Sequence, residues 1–586
     1  MSQKLGLVLT LMLPILGAQS TVAAQGLPPA AQWIPHDAVI SLELSEPKAL
    51  LELLTGEKAT AAITGLPMYK EQVSKPQFKE FLNLIRFLEL TLDTDWRTGL
   101  GKLTGGGITF AICPENTVLL MVDAEDAHML KRLHEIFLSI ARSDAAKEGQ
   151  PDRVACTQYQ DVTAWTFNGE GSHAIIGKRL VIANRPEGLK AVLELRDKVG
   201  GASLESNPAY QECQRAAGSK AIGTVYVDMK SLMQVPNTAQ LLEQQRKRPL
   251  TSLLFAGIVE ALRNSNWLAL GLHIEDSTLV FQASVDGKMA SSTNPAAFTL
   301  PKGPRDGVLA NLSVPRRIAA LSLYRDLHQF YAAKDELFPE RTSGLIFFEN
   351  MMGIFFSGRD LTNEVLVETK PEIRFVVAEQ DYDSAIGTPQ VKLPAFAAIL
   401  RLRHPEQFNE VVEEAWQKAV GLINFTRGQQ ALPGLIIDRP IHKGTKFTVA
   451  YFSSSGIDDR TNLDQRFNVR PALAMPGEYL VLSSTDGLAR DLIDALSREM
   501  EHAVKPLGET HSLVEIEGGQ LASILEANRK TLVQGNMVQK GNTQQQAETT
   551  IDMLISLVEF LDRARLGIAV HEGLPRARLE LKLNLQ

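Results

Sequence analysis

The sequence predicts an α+β protein built as two tandem copies of a mixed or antiparallel sheet unit with helices packed on it. Three observations predict this. Short segments with apolar residues at every second position recur between longer segments whose apolar residues fall every third or fourth position, so strands alternate with helices. Several neighbouring strands carry polar residues at their alternate positions, which suits helices on one face rather than a doubly wound parallel sheet. The same ordered series of elements also occurs twice, displaced by about 280 positions.

Composition agrees with a globular chain. Of the 586 residues, 44% are hydrophobic and 22% charged. This balance excludes a disordered, collagen-like or polytopic membrane protein. A net charge of -8 argues against nucleic-acid binding through bulk positive charge. Three cysteines in this length exclude a disulfide-stapled mini-domain, and no Cys-x-x-Cys spacing supports a zinc ribbon or a redox motif. Cys113, Cys156 and Cys213 leave two readings open: one disulfide, Cys113–Cys156 or Cys156–Cys213, or buried free thiols.

The first element is a signal peptide over residues 1–24. Lys4 supplies a positive n-region, Leu5 to Leu16 a short apolar run, and Val22 and Ala24 the small-residue cleavage positions. The run is too short for a membrane span, as is the later stretch Leu345 to Phe356, so no transmembrane anchor is expected after signal removal. The expected location is periplasmic or secreted.

The repeat units are drawn at 27–288 and 305–586, with a linker over 289–304 that opens on the polar stretch Met289 to Pro295. In the first unit, Ile40, Leu42 and Leu44 make a strand before an apolar helix from Pro47, and Leu321 and Leu323 stand at the same place in the second. Asp95 and Asp360 read as helix N-caps ahead of the strands at Ile108 and Ile373. The strand Leu119–Val122 leads to a helix with its apolar stripe at Met129, Leu130, Leu133, Ile136, Phe137 and Ile140; Ile399–Leu402 leads to Phe408, Val411, Val412 and Ala415. The clearest match sets Leu180–Ala183 and Pro186-Glu187-Gly188-Leu189 against Tyr479–Leu482 and Thr485-Asp486-Gly487-Leu488. Val225–Asp228 answers Val514–Glu517, and a closing helix and hairpin end each copy.

Four segments of the first copy carry a resemblance: Ile34-Pro35-His36-Asp37-Ala38, Gly105-Gly106-Gly107, Ser203 through Tyr210, and Tyr226-Val227-Asp228-Met229. They resemble a family of secreted bacterial proteins with domain of unknown function 3352. The second copy lacks the Asn-Pro-Ala-Tyr segment. The resemblance implies a secreted or periplasmic protein and supplies no catalytic residues.

Several local patterns resemble functional motifs and fall short of them. Gly99-Leu100-Gly101-Lys102 fails as a phosphate loop because Leu103 stands where a Ser or Thr must hold magnesium; with Gly105–Gly107 it reads as a turn before a strand. His134-Glu135 lacks the second histidine of a zincin, since Leu138 occupies that place, and His128, Lys131 and His134 read as a solvated helix face. His273 and His571 read as structural hydrogen bonders beside the last hairpins. Asp93 and Asp95 read as capping and surface charge rather than a glycosidic acid pair. Ser453-Ser454-Ser455-Gly456 with Asp458 and Asp459 reads as a turn. Arg246-Lys247-Arg248 and Gln539 to Gln546 read as flexible loops before the last helix of each copy. No catalytic, cofactor-binding or metal-ligating residue is assigned.

The favoured expectation is therefore an exported soluble protein with no chemistry, a binding or structural module of the cell envelope whose partner is an envelope protein or an apolar ligand. One alternative is a carrier or sensor for an apolar ligand such as a lipid, with the helices Leu253–Leu262 and Ile551–Leu561 lining a groove. The other is an exported hydrolase without a local motif.

Overall fold

The computed structural model of the chain describes residues 27–584, except 58, 61–63, 65–68, 70–72, 74–75, 168–170, 198–200, 236–237, 239, 243, 245–248, 290–294, 339–341, 384, 456, 458 and 503. The signal peptide expected over 1–24 and the basic cluster Arg246-Lys247-Arg248 lie outside the described residues. The chain falls into two compact units: the described residues up to Thr238 with Ser265–Asp286, and Ala239–Asn264 with the described residues from Gly287 to Asn584.

The first unit is α+β. Its strands are β1 (Ile40–Leu44), β2 (Gly107–Cys113), β3 (Thr117–Asp123), β4 (Val154–Tyr159), β5 (Val162–Phe167), β6 (Gly171–Ile176), β7 (Arg179–Ala183), β8 (Gly223–Asp228), β9 (Trp267–Glu275) and β10 (Thr278–Val285). They pair in the order β4-β5-β6-β7-β3-β2-β1-β8-β9-β10, antiparallel at every step. Its longer described helices are α1 (Pro47–Thr55), α2 (Pro76–Leu92), α3 (Trp96–Thr104), α4 (Ala127–Lys147), α5 (Pro186–Asp197) and α6 (Pro208–Ala217).

The expectation of helices on one face needs correction. Ala174 and Val181 face a core shared with Leu189, Val192 and Leu193 of α5 and with Tyr210 and Cys213 of α6. His173 precedes Ala174 on β6, so strand alternation turns it to the opposite face, where α4 meets it through His134. Helices therefore cover both faces. The strands allow this because β3, Thr-Val-Leu-Leu-Met-Val-Asp, is apolar on both sides.

In the second unit, α7 (Pro249–Arg263) comes first in the chain, followed by α8 (Thr342–Phe355), α9 (Pro405–Gln429), α10 (Asp486–Glu501), α11 (Gly518–Ala527), α12 (Arg529–Lys540) and α13 (Gln544–Phe560). The strands are β11 (Arg317–Tyr324), β12 (Thr369–Ala378), β13 (Ala395–Leu402), β14 (Leu435–Asp438), β15 (Ile441–His442), β16 (Thr445–Phe452), β17 (Ala472–Ala474), β18 (Tyr479–Ser483), β19 (Thr510–Glu517), β20 (Leu561–His571) and β21 (Leu574–Leu583). Ten of them pair antiparallel in the order β14-β16-β17-β18-β13-β12-β11-β19-β20-β21, with β15 forming a short hairpin on β16. Taken strand for strand along the chain, this is the order of the first sheet. Here too both faces are covered. Val449, Ala472, Ala474 and Val481 pack with α10, while the intervening Leu473 and Leu480 pack with Phe408 and Val412 of α9.

The division differs from the boundaries that the sequence suggests. Helix α7 counts with the second unit. Ala256 packs there with Ala296, Phe298, Leu337 and Phe338. Part of the stretch expected to be a linker belongs to the same core: Met289 and Thr299 are 0% exposed, and Pro295–Thr299 forms a 3-10 turn. Gly257 permits this packing, because a Cβ there would come within 2.5 Å of Met289 Cε and 2.7 Å of Thr299 Oγ1.

Candidate functional site

Most residues singled out in the sequence serve local structure. Asp95 N-caps α3, its carboxylate accepting from the backbone N–H groups of Arg97 and Thr98 at 3.0 Å. The bonds to Thr98 lead the causes that hold its carboxyl below the usual carboxylate range. Gly99 to Lys102 lie inside α3, so the expected turn is confined to Gly105 and Gly106, and Gly107 opens β2. The Asp95 cap overrides the glycines' weak helix propensity, and Gly101 lies where a Cβ would meet Lys48 Cε at 3.4 Å. His273 Nε2 bonds the Ala217 carbonyl at 3.2 Å, and His571 Nδ1 faces Glu509 at 3.3 Å. Ser455 N–H donates to Ser453 Oγ at 3.1 Å, and Asp459 accepts from the Thr461 N–H at 2.8 Å, as turn residues do. Gln539 and Lys540 end α12, and Gln544–Gln546 open α13 behind a Thr543–Gln546 capping box, so this stretch is largely helical rather than a loop.

The cysteines are free thiols. Cys113 and Cys213 are buried and Cys156 is exposed. Burial pushes both buried thiols up to about 12. Among the described residues, no group of three or more His, Cys, Asp or Glu side chains is arranged to hold a metal ion.

The two helices expected to line a groove bury their inner faces in ordinary cores. Ala256 and Leu253 of α7 pack around Phe298, and Ala547, Ile551 and Ile555 of α13 pack with α11 and α12.

The apolar hollow lies elsewhere, in the first unit. Phe81, Ile85, Leu88 and Leu92 stand at i, i+4, i+7 and i+11 of α2 and form one stripe. Trp96, Leu100 and Leu103 of α3 form the second wall, and Leu133 and Phe137 of α4 the third. Together they line a cavity of about 120 Å³ that is partly open to solvent. Its polar lining is Glu89, Thr94 and Asp95, gathered where α2 passes into α3. Glu89 Oε1 already accepts the Trp96 N–H at 2.9 Å, and Asp95 is committed to its cap. No serine, cysteine, histidine or lysine is among the described residues lining it.

Behind Leu133 stands a feature that the helical stripe conceals. His134 is half-buried rather than solvated, and its Nε2 lies 2.9 Å from Nε2 of His173. His173 is 8% exposed and stacks on Phe167 at 5.1 Å between ring centroids. Trp165 meets His134 edge-on at 6.1 Å, and the Arg142 guanidinium covers the Trp165 ring at 5.0 Å. Burial, then the neighbouring His134, pushes the His173 imidazole down to about 4; burial also lowers His134. Both rings are therefore neutral near pH 7, one Nε2 donating and the other accepting. A long-range pair of this kind leaves no local spacing to find. The stripe of α2, by contrast, is periodic and is visible in the sequence alone.

Three segments that carry the family resemblance meet in one buried corner of the first unit. Leu204 N–H donates to the Ile34 carbonyl at 2.8 Å, and the Asn207 amide to the His36 carbonyl at 3.0 Å. Asn207 also N-caps α6, and Tyr210 packs edge-on against Tyr226 at 5.5 Å. The Tyr210 hydroxyl donates to Glu43 Oε2 at 3.3 Å, while burial raises the Glu43 carboxyl. This corner is filled by core side chains.

No curated protein matches the chain. Among solved structures, crystal form I of TP0453 is 10% identical, with a TM-score of 0.23, over 46% of this chain and 81% of that one. Crystal form III of TP0453 is 10% identical, with a TM-score of 0.24, over 47% of this chain and 85% of that one. Residues 105–319 match the family described as Protein of unknown function (DUF3352), the family that the first copy resembles in sequence.

Proposed function

We propose that the chain is an exported, non-catalytic binding module of the cell envelope that takes an apolar ligand such as a lipid chain between α2, α3 and α4. The hollow carries this reading. At about 120 Å³ it is smaller than the roughly 300–1,000 Å³ typical of whole small-molecule sites, which suits one end of a single apolar chain. Its walls are aliphatic and aromatic, and its few polar groups are spent on the α2–α3 turn. Such a lining gains free energy from removing apolar surface from water, about 0.8 kcal/mol per buried methylene, and offers nothing to polarise a bond. No described helix is long and apolar enough to cross a membrane, which suits a module that meets its ligand from the aqueous side.

Native mass spectrometry of protein taken from envelope extracts tests the reading. The expected result is a co-purified lipid mass that disappears when Leu103→Trp fills the hollow. A ligand-free wild type that also fails to take up an uncharged apolar probe such as N-phenyl-1-naphthylamine would overturn it.

A further inference from the structure

We propose that the His134–His173 pair is a proton-sensitive latch that holds α4 on the sheet, so that acid releases the apolar ligand from the hollow beside it. The proposal rests on the ligand reading above and adds its regulation.

Helix α4 serves two neighbours with adjacent residues. Leu133 and Phe137 form one wall of the hollow. His134, between them on the helix, turns to the sheet and bonds His173 of β6. A 2.9 Å separation requires one bare nitrogen facing one N–H. Protonating the acceptor sets two N–H groups against each other, so the attractive contact becomes a repulsive one inside a site walled by Phe167 and Trp165.

The charges facing the pair offer limited relief. On α4, Glu135 favours a charged His134 and Arg142 opposes it. Strand β5 contributes Trp165 and Phe167, which do not titrate, and β4 sets the exposed Cys156 opposite Trp165. The 3-10 turn Pro151–Arg153, packed on α4, brings Asp152 and Arg153, the latter paired with Glu148. Helices α2 and α3 bring Glu89 and Asp95 to the hollow, on the Leu133 side of α4.

The second sheet shows that the fold does not need histidine here. His173 stands opposite Ile182 of the next strand, and Leu473 stands opposite Leu482 in the strand of equal place in the other sheet. Leu473 is 2% exposed and packs with Phe408 and Val412 of α9. An apolar contact thus joins helix to sheet in the second unit, where a titratable one does so in the first.

The test follows uptake of N-phenyl-1-naphthylamine, which stays uncharged throughout, by the full chain and by His134→Leu/His173→Leu, from about pH 7.5 to about pH 4.5. Wild type is expected to lose about ten-fold or more in probe affinity over this range, and the double variant less than about two-fold. Hydrogen-exchange protection of α4, taken relative to α5 on the opposite sheet face, is expected to fall with acid in wild type and to hold in the variant. Uptake at about pH 7.5 that persists unchanged into acid, or that falls equally in both proteins, overturns the latch and leaves the ligand reading standing. No uptake by either protein at about pH 7.5 overturns the ligand reading and this proposal with it. If the double variant misfolds, His173→Leu alone, which places at β6 the residue that Leu473 supplies in the second sheet, gives the same comparison.

Discussion

Arg325 shows how a single residue organises its surroundings. It is fully buried, and its guanidinium donates to the carbonyls of Leu253 and Leu254 at 2.7 Å, to those of Tyr324 and His511, and to Ser512 Oγ at 3.1 Å. Burial lowers its pKa to about 9, which leaves it a cation at neutral pH. Replacing it by Met strips several buried acceptors of their donor at once, so Arg325→Met is expected to destabilise the second unit by about 3 kcal/mol or more, read as a lower urea midpoint. The cysteines give a second check at this scale. With Cys156 exposed and the thiols of Cys113 and Cys213 buried and raised, a thiol reagent is expected to label one cysteine in the native protein and all three after unfolding. Labelling of only one cysteine after unfolding without reductant would show a disulfide instead. The sign of the pH effect at His173 is also fixed. Its folded pKa of about 4 lies below the unfolded value near 6.5, so its stabilising contribution is complete above about pH 6.5 and is lost as pH falls toward 4. The loss amounts to roughly 3 kcal/mol when complete, and His173→Leu is expected to flatten the dependence of the urea midpoint on pH across that window.

At the scale of elements, caps and stripes are the legible features. Asp95 reads as an N-cap in the sequence and is one, and so is Asp360, whose carboxylate accepts the Asn363 N–H at 2.6 Å. Asp95→Ala is expected to cost about 1 kcal/mol, measured by thermal or urea unfolding, because one orphan donor pair of α3 loses its acceptor. The apolar stripe of α4 is also legible, since period 3.6 is a property of one segment. Its second role is not. Leu133 and Phe137 look like core residues in any helical projection, and only the approach of α2 and α3 leaves space beside them. The same limit misplaces His134: position on a helix shows which residues leave the stripe, while the sheet's approach determines whether a residue off the stripe meets water or another ring.

For the whole molecule, the shared strand order of the two sheets supports the duplication that the spacing of elements predicts. We propose that one unit was used twice; an experimental structure with different strand orders in the two sheets would overturn this. We likewise propose export: intact-mass analysis of the protein from the envelope fraction is expected to find residues 1–24 removed, and full-length protein confined to the cytoplasm would count against it. The sequence by itself determined the α+β class, the alternation of strands and helices and their order along the chain, because hydrophobic periodicity and capping are local. Tertiary structure alone decided which unit α7 joins, why Met289 and Phe298 are core rather than linker, and where an apolar hollow opens beside a histidine pair. Those outcomes depend on contacts between residues far apart in the chain, and such contacts have no period.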